Sequence, residues 1–278
     1  MNGYSHCPVR PLFRILNNMD ALQILHIHGG YFHPKGQHQF FSALCGRFHH
    51  SLRRFSSATT DTRFDHQIYD GPQALLPLNI LSNLCLDANI GKFTPMLSSW
   101  YFPALVHLQL RHVMRTNIAG VMAFLKTHGN QLLALNLQED HVTSTNKLMI
   151  EPILALTPNL NSLSLDGPMM ELGRRPATIM RRVTHLGLFI DDWPIKPAVG
   201  AFECIKDGQF PSLLVVRLQS AASCVKNVEE WHRAIDICSE NNIRLENVWR
   251  RAIEIGNLKG VPLDERFVGV WFNDALME

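Results

Sequence analysis

The chain has 278 residues, of which 46% are hydrophobic and 18% charged, and its formal net charge at neutral pH is +2. This length and apolar content allow a large buried core, whereas the near balance of charge excludes the strongly basic surface typical of nucleic-acid binding. No apolar window of about eighteen residues occurs, so a membrane span is not expected, and the first residues lack the apolar segment of a signal peptide.

A spaced leucine pattern recurs along the chain. It consists of an apolar residue, two spacers, an apolar residue, one spacer and an apolar residue, as in LVHLQL. Most steps between copies are 23 to 30 residues, and a degenerate copy at Leu52 divides the one step that is twice as long. A ninth copy is expected at Ile243, with Val248 in its last apolar place. The clear copies begin at Leu22, Leu81, Leu105, Leu132, Leu160, Val183 and Leu213.

Each copy has the spacing of a β-strand. Alternate residues of a strand point to opposite faces, so the second and third apolar places point inward together and the residue between them points outward. A single copy cannot bury its apolar face, but stacked copies share one core. The pattern therefore predicts buried leucines on neighbouring parallel strands, including Leu108, Leu135, Leu163 and Leu186.

The segments between the strands have helical spacing. In chain order, the first runs from a capping Thr116 through Ile118, Val121, Met122 and Leu125 to Gly129. The second precedes Thr157-Pro158, and the third carries the stripe Val228, Trp231, Ile235 and Cys238 before Asn241-Asn242. Alternating strands and helices at this period predict an α/β fold, a leucine-rich-repeat solenoid over residues 1–250, with a C-terminal tail or cap over 251–278.

Three phrases resemble a known family. FPALVHLQL, LTPNLNSLSL and ICSENNIRLENVW are similar to the leucine-rich-repeat region of F-box/LRR-like proteins, especially fungal ones, and the resemblance covers about residues 12–250. It implies that the repeats bind a protein substrate for ubiquitylation, while an F-box docks a Skp1-type adaptor. The asparagine of the common LxxLxLxxN pattern is present at Asn89, but Val113, Asp140 and Pro168 replace it elsewhere.

An F-box is not evident in this chain. The stretch LPLNILSNL, residues 76–84, is similar to an F-box opening, but Leu81 lies on the repeat register and Asn79 stands in the place of a glutamate. The plain repeat is the favoured interpretation. The helix-like residues Pro11, Leu12, Ile15, Leu16 and Met19 indicate that the chain begins within an earlier repeat, so an F-box is expected to be missing or lost.

The histidines are the main candidates for a metal site. His26 and His28 alternate on the first strand and could share a zinc ion, but no cysteine or carboxylate completes a motif, so exposed polar positions are the favoured interpretation. Asp191-Asp192 before Trp193 fits a solvated loop better than an acid–base pair. With no GxSxG, HExxH or phosphate-binding loop, we expect no enzyme activity, cofactor or metal.

The six cysteines form no CxxC motif and occur in apolar or helical contexts, which favours buried free thiols in a reducing compartment. The absence of an Asn-x-Ser/Thr acceptor agrees with this interpretation. We therefore expect an intracellular protein of the cytoplasm or nucleus.

The outward strand positions are the candidate binding site. In a solenoid they form one concave stripe, whose polar, mixed-charge composition suits a protein partner, although a merely solvated face would look the same. Arg111, Phe189 and Arg217 are the expected anchors, with a salt bridge to a nearby aspartate as the alternative use of an arginine. The predicted partner-binding residues are His28, Asp87, Gln109, Arg111, Gln138, Asp166, Phe189, Arg217 and Gln219.

Overall fold

The computed structural model describes nine stretches of the chain, which together hold nine strands. It divides into two compact units: the first comprises residues 1–148 and 155–159, and the second residues 149–154 and 160–278. The described stretches are 14–28, 44–58, 78–87, 101–113, 118–139, 150–166, 179–189, 196–218 and 228–246.

The described residues of the first unit form five parallel strands that pair in sequence order. The fold is thus α/β, with each strand followed by a return segment before the next parallel strand. The strands are β1 (Ile24–His28), β2 (Arg54–Ala58), β3 (Asn83–Asp87), β4 (His107–Val113) and β5 (Ala134–Glu139).

In the second unit, the part of the chain that the structure describes forms four strands with the same arrangement. They pair in parallel and in sequence order. They are β6 (Ser162–Asp166), β7 (His185–Phe189), β8 (Val215–Leu218) and β9 (Arg244–Glu246).

The strand register follows the leucine pattern. In the first unit Leu84 pairs with Leu108, and Leu108 with Leu135. In the second unit Leu163 pairs with Leu186. These leucines are all buried, which confirms the prediction of buried leucines on neighbouring parallel strands, each pair within its own unit.

The ninth copy of the pattern was predicted with the wrong register. Leu245, not Glu246, pairs with Val216 in the second apolar place, so the step is 29 residues rather than the expected 30. A one-residue shift moves every side chain of a strand to the opposite face. Glu246 therefore lies on the polar side of β9, next to Arg217.

Helices connect several of the strands. Two short helical stretches also lie at 14–17 and 44–48. The helices predicted before Thr157-Pro158 and before Asn241-Asn242 are present, whereas the one between β7 and β8 was not predicted. The longer described helices are α1 (Ile118–His128), α2 (Glu151–Leu156), α3 (Lys196–Lys206) and α4 (Val228–Glu240).

Helices α3 and α4 end in the same way. The second residue after each helix end has a left-handed backbone, with φ of 73° at Gly208 and 55° at Asn242. After α3 the Gly208 N–H donates to Ile205 O and the Gln209 N–H to Cys204 O. The same two bonds occur after α4. They satisfy carbonyl groups that a helix end otherwise leaves without partners.

An aromatic cluster packs at the end of α1. The His128 ring is fully buried, and its centroid lies 4.5 Å from that of Phe124 and 5.5 Å from that of Phe102. Gly129 follows directly and is also buried, against the backbone of Leu156.

Among the described residues, every helix is too short or too polar to span a membrane.

The start of most strands is held by a repeated hydrogen-bond pattern. Two successive N–H groups donate to one carbonyl of the residue before the preceding strand. For example, Val106 and His107 both donate to Ser82 O at 3.0 Å. In the second unit Leu214 and Val215 both donate to Thr184 O. This repeated anchoring aligns the first residues of neighbouring strands and therefore the side chains that they carry.

Candidate functional site

One face of the strands carries polar side chains. On β4, Leu108 and Leu110 point into the core, so His107, Gln109 and Arg111 lie on the opposite face. We call the face with these residues, and their register partners in the same unit, the polar strand face of the first unit. The corresponding face of the second unit carries His185 and Phe189 on β7.

On the first unit, the predicted binding residues differ in their exposure. Gln109 on β4 is only 7% exposed, and its register partner Asn136 on β5 only 1%. Arg111 and Gln138, nearer the ends of these strands, are half-buried. The accessible part of this face at β4 and β5 is therefore formed by Arg111 and Gln138, and the prediction that Gln109 lies open to a partner is wrong.

The buried centre of this face contains polar atoms without hydrogen bonds. Among the described residues, Arg111 Nε and Asn136 Oδ1 are buried and have no hydrogen-bond partner. A buried polar atom without a partner costs about 1 to 3 kcal/mol, so these two atoms oppose the stability that the neighbouring buried leucines provide.

A polar row at the start of the strands was missed from the sequence. Arg54, Asn83 and His107 occupy matching positions on β2, β3 and β4. His107 Nδ1 lies 3.1 Å from Asn83 Oδ1, and the Ser82 hydroxyl donates to the same oxygen at 2.8 Å. Burial, and secondarily the charge of Arg54, lowers the pKa of His107 to about 4. Each residue of this row lies two positions before the first outward residue that was predicted on its strand, as His107 lies before Gln109. Strand alternation alone would therefore have identified the row.

On the second unit, Arg217 forms a buried ion pair. Its Nε donates to Glu246 Oε2 at 2.7 Å, and its Nη2 lies 2.6 Å from the same oxygen. Arg217 is 8% exposed and Glu246 fully buried. The alternative use of an arginine, in a salt bridge, thus applies here, but the partner is Glu246 of the next strand rather than an aspartate. Arg217 is not an open anchor for a partner.

A second arginine reaches the same carboxylate. Arg244 Nη2 contacts Glu246 Oε1, while 65% of the Arg244 side chain remains exposed. Arg217 and Arg244 therefore share one buried negative charge, and the three side chains together carry a net charge of +1. This arrangement was not predicted, because the register expected for β9 placed Glu246 on the inward face.

His185 lies beside this ion pair. It occupies the same row as Val215 and Arg244 on the next two strands, and its Nδ1 lies 2.9 Å from the Thr184 hydroxyl. Partial burial lowers the pKa of His185, the charges of Arg217 and Arg244 lower it further, and Glu246 acts in the opposite direction. Together these effects favour the neutral form of the His185 ring.

The remaining predicted residues divide into three groups. Phe189 is half-buried at the end of β7. His28, Asp87 and Asp166 end β1, β3 and β6, but their side chains are not described. Gln219 lies outside the described residues, as do Thr116 and Asp191-Asp192.

No metal centre is formed by the described side chains. Among them, no group of three or more His, Cys, Asp and Glu residues lies close enough to hold a metal ion. His26 is exposed on β1. Cys45, Cys204 and Cys238 are buried and form no disulfide, as expected, and burial raises the pKa of Cys45 and Cys238 to about 12.

The F-box-like stretch lies on the strand register. Leu81 is buried before β3, and Leu84 within β3 pairs with Phe55 and Leu108. Residues 83–87 thus form one of the described parallel strands.

Comparison with protein-family models gives no match to this chain, and a search of curated proteins finds no relative.

Proposed function

We propose that this chain is a leucine-rich-repeat solenoid that binds a partner protein on its polar strand faces. The observation that carries the proposal is the register: leucine positions 23 to 30 residues apart pair side by side on parallel strands. Such stacking presents successive outward side chains as a continuous surface, which repeat proteins use for binding.

The composition of these faces supports a protein as the ligand. Arg111 and Gln138 on the first unit, and Phe189 and Arg244 on the second, are accessible in part or in full. Arginine and aromatic residues are the commonest anchors of protein interfaces. Each unit thus has at least one anchor of this kind next to polar groups that can hydrogen-bond to a partner.

We further propose that the bound protein is a substrate of an F-box-type ubiquitin ligase. The support for this role is the resemblance of the repeat phrases to F-box/LRR-like proteins. In this role the repeats hold the substrate, and a Skp1-type adaptor is a partner only of an F-box upstream of them. A stand-alone repeat scaffold without a ligase role is the second candidate, favoured by the placement of residues 83–87 in a repeat strand.

The binding role can be tested by proximity labelling with the full chain and three variants. Phe189→Ala and Arg111→Ala each remove one accessible anchor of a polar strand face. Lys126→Ala removes an exposed charge from helix α1 and is the matched control. We expect each anchor variant to reduce labelling of the main partners by about fivefold or more, while the control retains them.

Partner loss in Lys126→Ala but in neither anchor variant would contradict the proposed surface. Arg217→Ala would be a poor test of binding, because it removes the main partner of the buried Glu246 and should destabilise the second unit by about 3 to 5 kcal/mol. The ligase role is tested separately: co-purification of a Skp1-type adaptor with a chain extended upstream, but not with the present one, supports it. An extended chain that captures the partners without the adaptor favours the scaffold.

A further inference from the structure

The charged residues of β7 to β9 form one cluster on the second unit. We call His185, Arg217, Arg244 and Glu246 the His185–Arg244 cluster. Its buried carboxylate holds Arg217 in place and contacts only one end of Arg244. A guanidinium has five N–H donors, and the side chain of Arg244 is 65% exposed. Arg244 therefore presents donors to an outside ligand while Glu246 fixes its position.

The register places a short side chain between two long ones. His185, Val215 and Arg244 lie side by side on β7, β8 and β9. Neighbouring strands are about 4.8 Å apart, so the backbones at His185 and Arg244 are separated by about 10 Å. The short, buried side chain of Val215 is the floor between them. A group that accepts hydrogen bonds from both sides fits above this floor.

We propose that the His185–Arg244 cluster binds the carboxylate of an aspartate or glutamate side chain in a partner protein, above Val215. This inference rests on the proposed function, because it takes the ligand to be a protein. Arg244 donates to the carboxylate, His185 donates from its ring, and Arg217 adds its positive charge from below.

The charge of the cluster decides which anion it suits. Two arginines and one buried glutamate give +1 with His185 neutral. One carboxylate neutralises this charge, whereas a phosphate dianion would leave a negative charge in excess. If Glu246 were absent, the two arginines would repel one another and neither would be oriented. The buried carboxylate therefore makes the cluster a site for a single negative charge.

The position of His185 predicts a pH dependence. Arg217 on β8 and Arg244 on β9 oppose its protonation, Glu246 favours it, and its neighbour on β6 is the uncharged Ser162. A bound carboxylate favours the protonated ring, so binding takes up a proton. Affinity then rises as the pH falls from 7 to 6, until the ligand carboxylate itself is protonated near pH 4.

The test uses a phage-displayed library of random hexapeptides selected on the full chain. Selected peptides are synthesised, and their dissociation constants are measured by fluorescence anisotropy at pH 7 and pH 6. Arg244→Gln is compared with Arg233→Gln, which removes an equal charge from an exposed arginine of the same unit that pairs with Glu203 on a helix. His185→Gln tests the pH dependence.

We expect peptides enriched in aspartate and glutamate. Their affinity should fall by about fivefold or more in Arg244→Gln, and by less than about twofold in Arg233→Gln. Binding by the wild type should tighten at pH 6, and His185→Gln should remove that change.

Other results would overturn the inference. Peptides without acidic residues, or acidic peptides indifferent to Arg244→Gln, would overturn it but leave the proposed function standing if Arg111→Ala or Phe189→Ala abolishes their binding. Tighter binding of a phosphoserine analogue than of the glutamate peptide would show a phosphate site instead. Failure to select any peptide would count against both the inference and the proposed function.

Discussion

Gly129 occupies a position that admits no side chain. A Cβ atom built there would lie 2.1 Å from Leu156 O and 3.0 Å from Leu156 C. Both contacts are to backbone, which cannot rotate away. The glycine that follows α1 is therefore required by this close approach, whereas the sequence indicated only that it ended the helix. Gly129 does not have a positive φ, so the close approach alone explains it. Among the described glycines, Gly208 is the one with a positive φ.

Substitution of Gly129 should therefore destabilise the first unit. We expect Gly129→Ala to lower the free energy of unfolding by about 2 kcal/mol or more, because the backbone of Leu156 must shift. Gly46 is the matched control: it lies in a helical stretch of the same unit, and a Cβ there meets nothing within 4 Å. Gly46→Ala should be neutral or stabilise by up to about 1 kcal/mol. Chemical denaturation of both variants makes the comparison, and an equal effect of the two would refute it.

His107 makes the stability of the first unit depend on pH. Its pKa is lowered to about 4 in the folded chain and is about 6.5 when unfolded. Below pH 6.5 the unfolded chain binds a proton that the folded chain does not, so stability decreases as the pH falls. We expect wild type to lose about 1 to 2 kcal/mol more than His107→Gln between pH 7 and pH 5, after allowance for the part of the ring that water reaches.

The His107→Gln comparison isolates this residue from the other histidines. A glutamine amide can still donate to Asn83 Oδ1, so the variant keeps the polar row and removes only the titration. Urea denaturation at the two pH values measures the effect. Equal pH dependence in wild type and variant would mean that the folded His107 is protonated as readily as the unfolded one.

At the scale of the element, the helix ends depend on two residues with left-handed backbones. A Cβ atom at Gly208 would meet nothing within 4 Å, so only the φ of 73° restricts this position. We expect Gly208→Ala to cost about 1 to 2 kcal/mol and Gly208→Asn to cost less, because asparagine tolerates this conformation. Thermal unfolding of the two variants gives the order, and a smaller loss for alanine than for asparagine would contradict it.

The strands were predictable because their spacing has a direct physical cause. Leu108 and Leu110 must both point inward, and this requirement by itself predicts β4 from the sequence. Helix α3 was not predicted, since Pro197 and Gly200 interrupt its apolar pattern. For β9, the apolar residues Ile243, Leu245 and Val248 admit two registers, and only pairing with β8 selects one.

The candidate site was predictable as a face but not residue by residue. Strand alternation placed Gln109 and Arg217 on the polar side, as the register confirms. Their burial depends on the side chains of both neighbouring strands, which a single repeat does not reveal. The ion pair of Arg217 joins residues 29 positions apart, so it could be predicted only from a correct register for β9.

At the scale of the whole molecule, the described strands of each unit contact mainly the strands next to them in sequence. Within each unit, backbone hydrogen bonds at the strand starts join a strand to the one before it, and in the first unit two side chains add links of similar length. Gln131 donates to Phe102 O and Asn159 to Asn130 O, each across 29 residues. Stability should therefore be nearly a sum of local and nearest-neighbour terms.

Such a sum predicts that damage to one strand spreads only locally. Leu108 is fully buried in β4, between β3 and β5. Leu108→Ala should lower the free energy of unfolding by about 2 to 5 kcal/mol, because it leaves a cavity. Amide hydrogen exchange should show the largest loss of protection in β3, β4 and β5, and a smaller loss in β1. Leu133→Ala, at a residue 39% exposed just before β5, is the control and should change little. A loss of protection equal in all five strands of the first unit would show instead that the unit unfolds as one, because its strands would then be coupled more strongly than nearest-neighbour contacts allow.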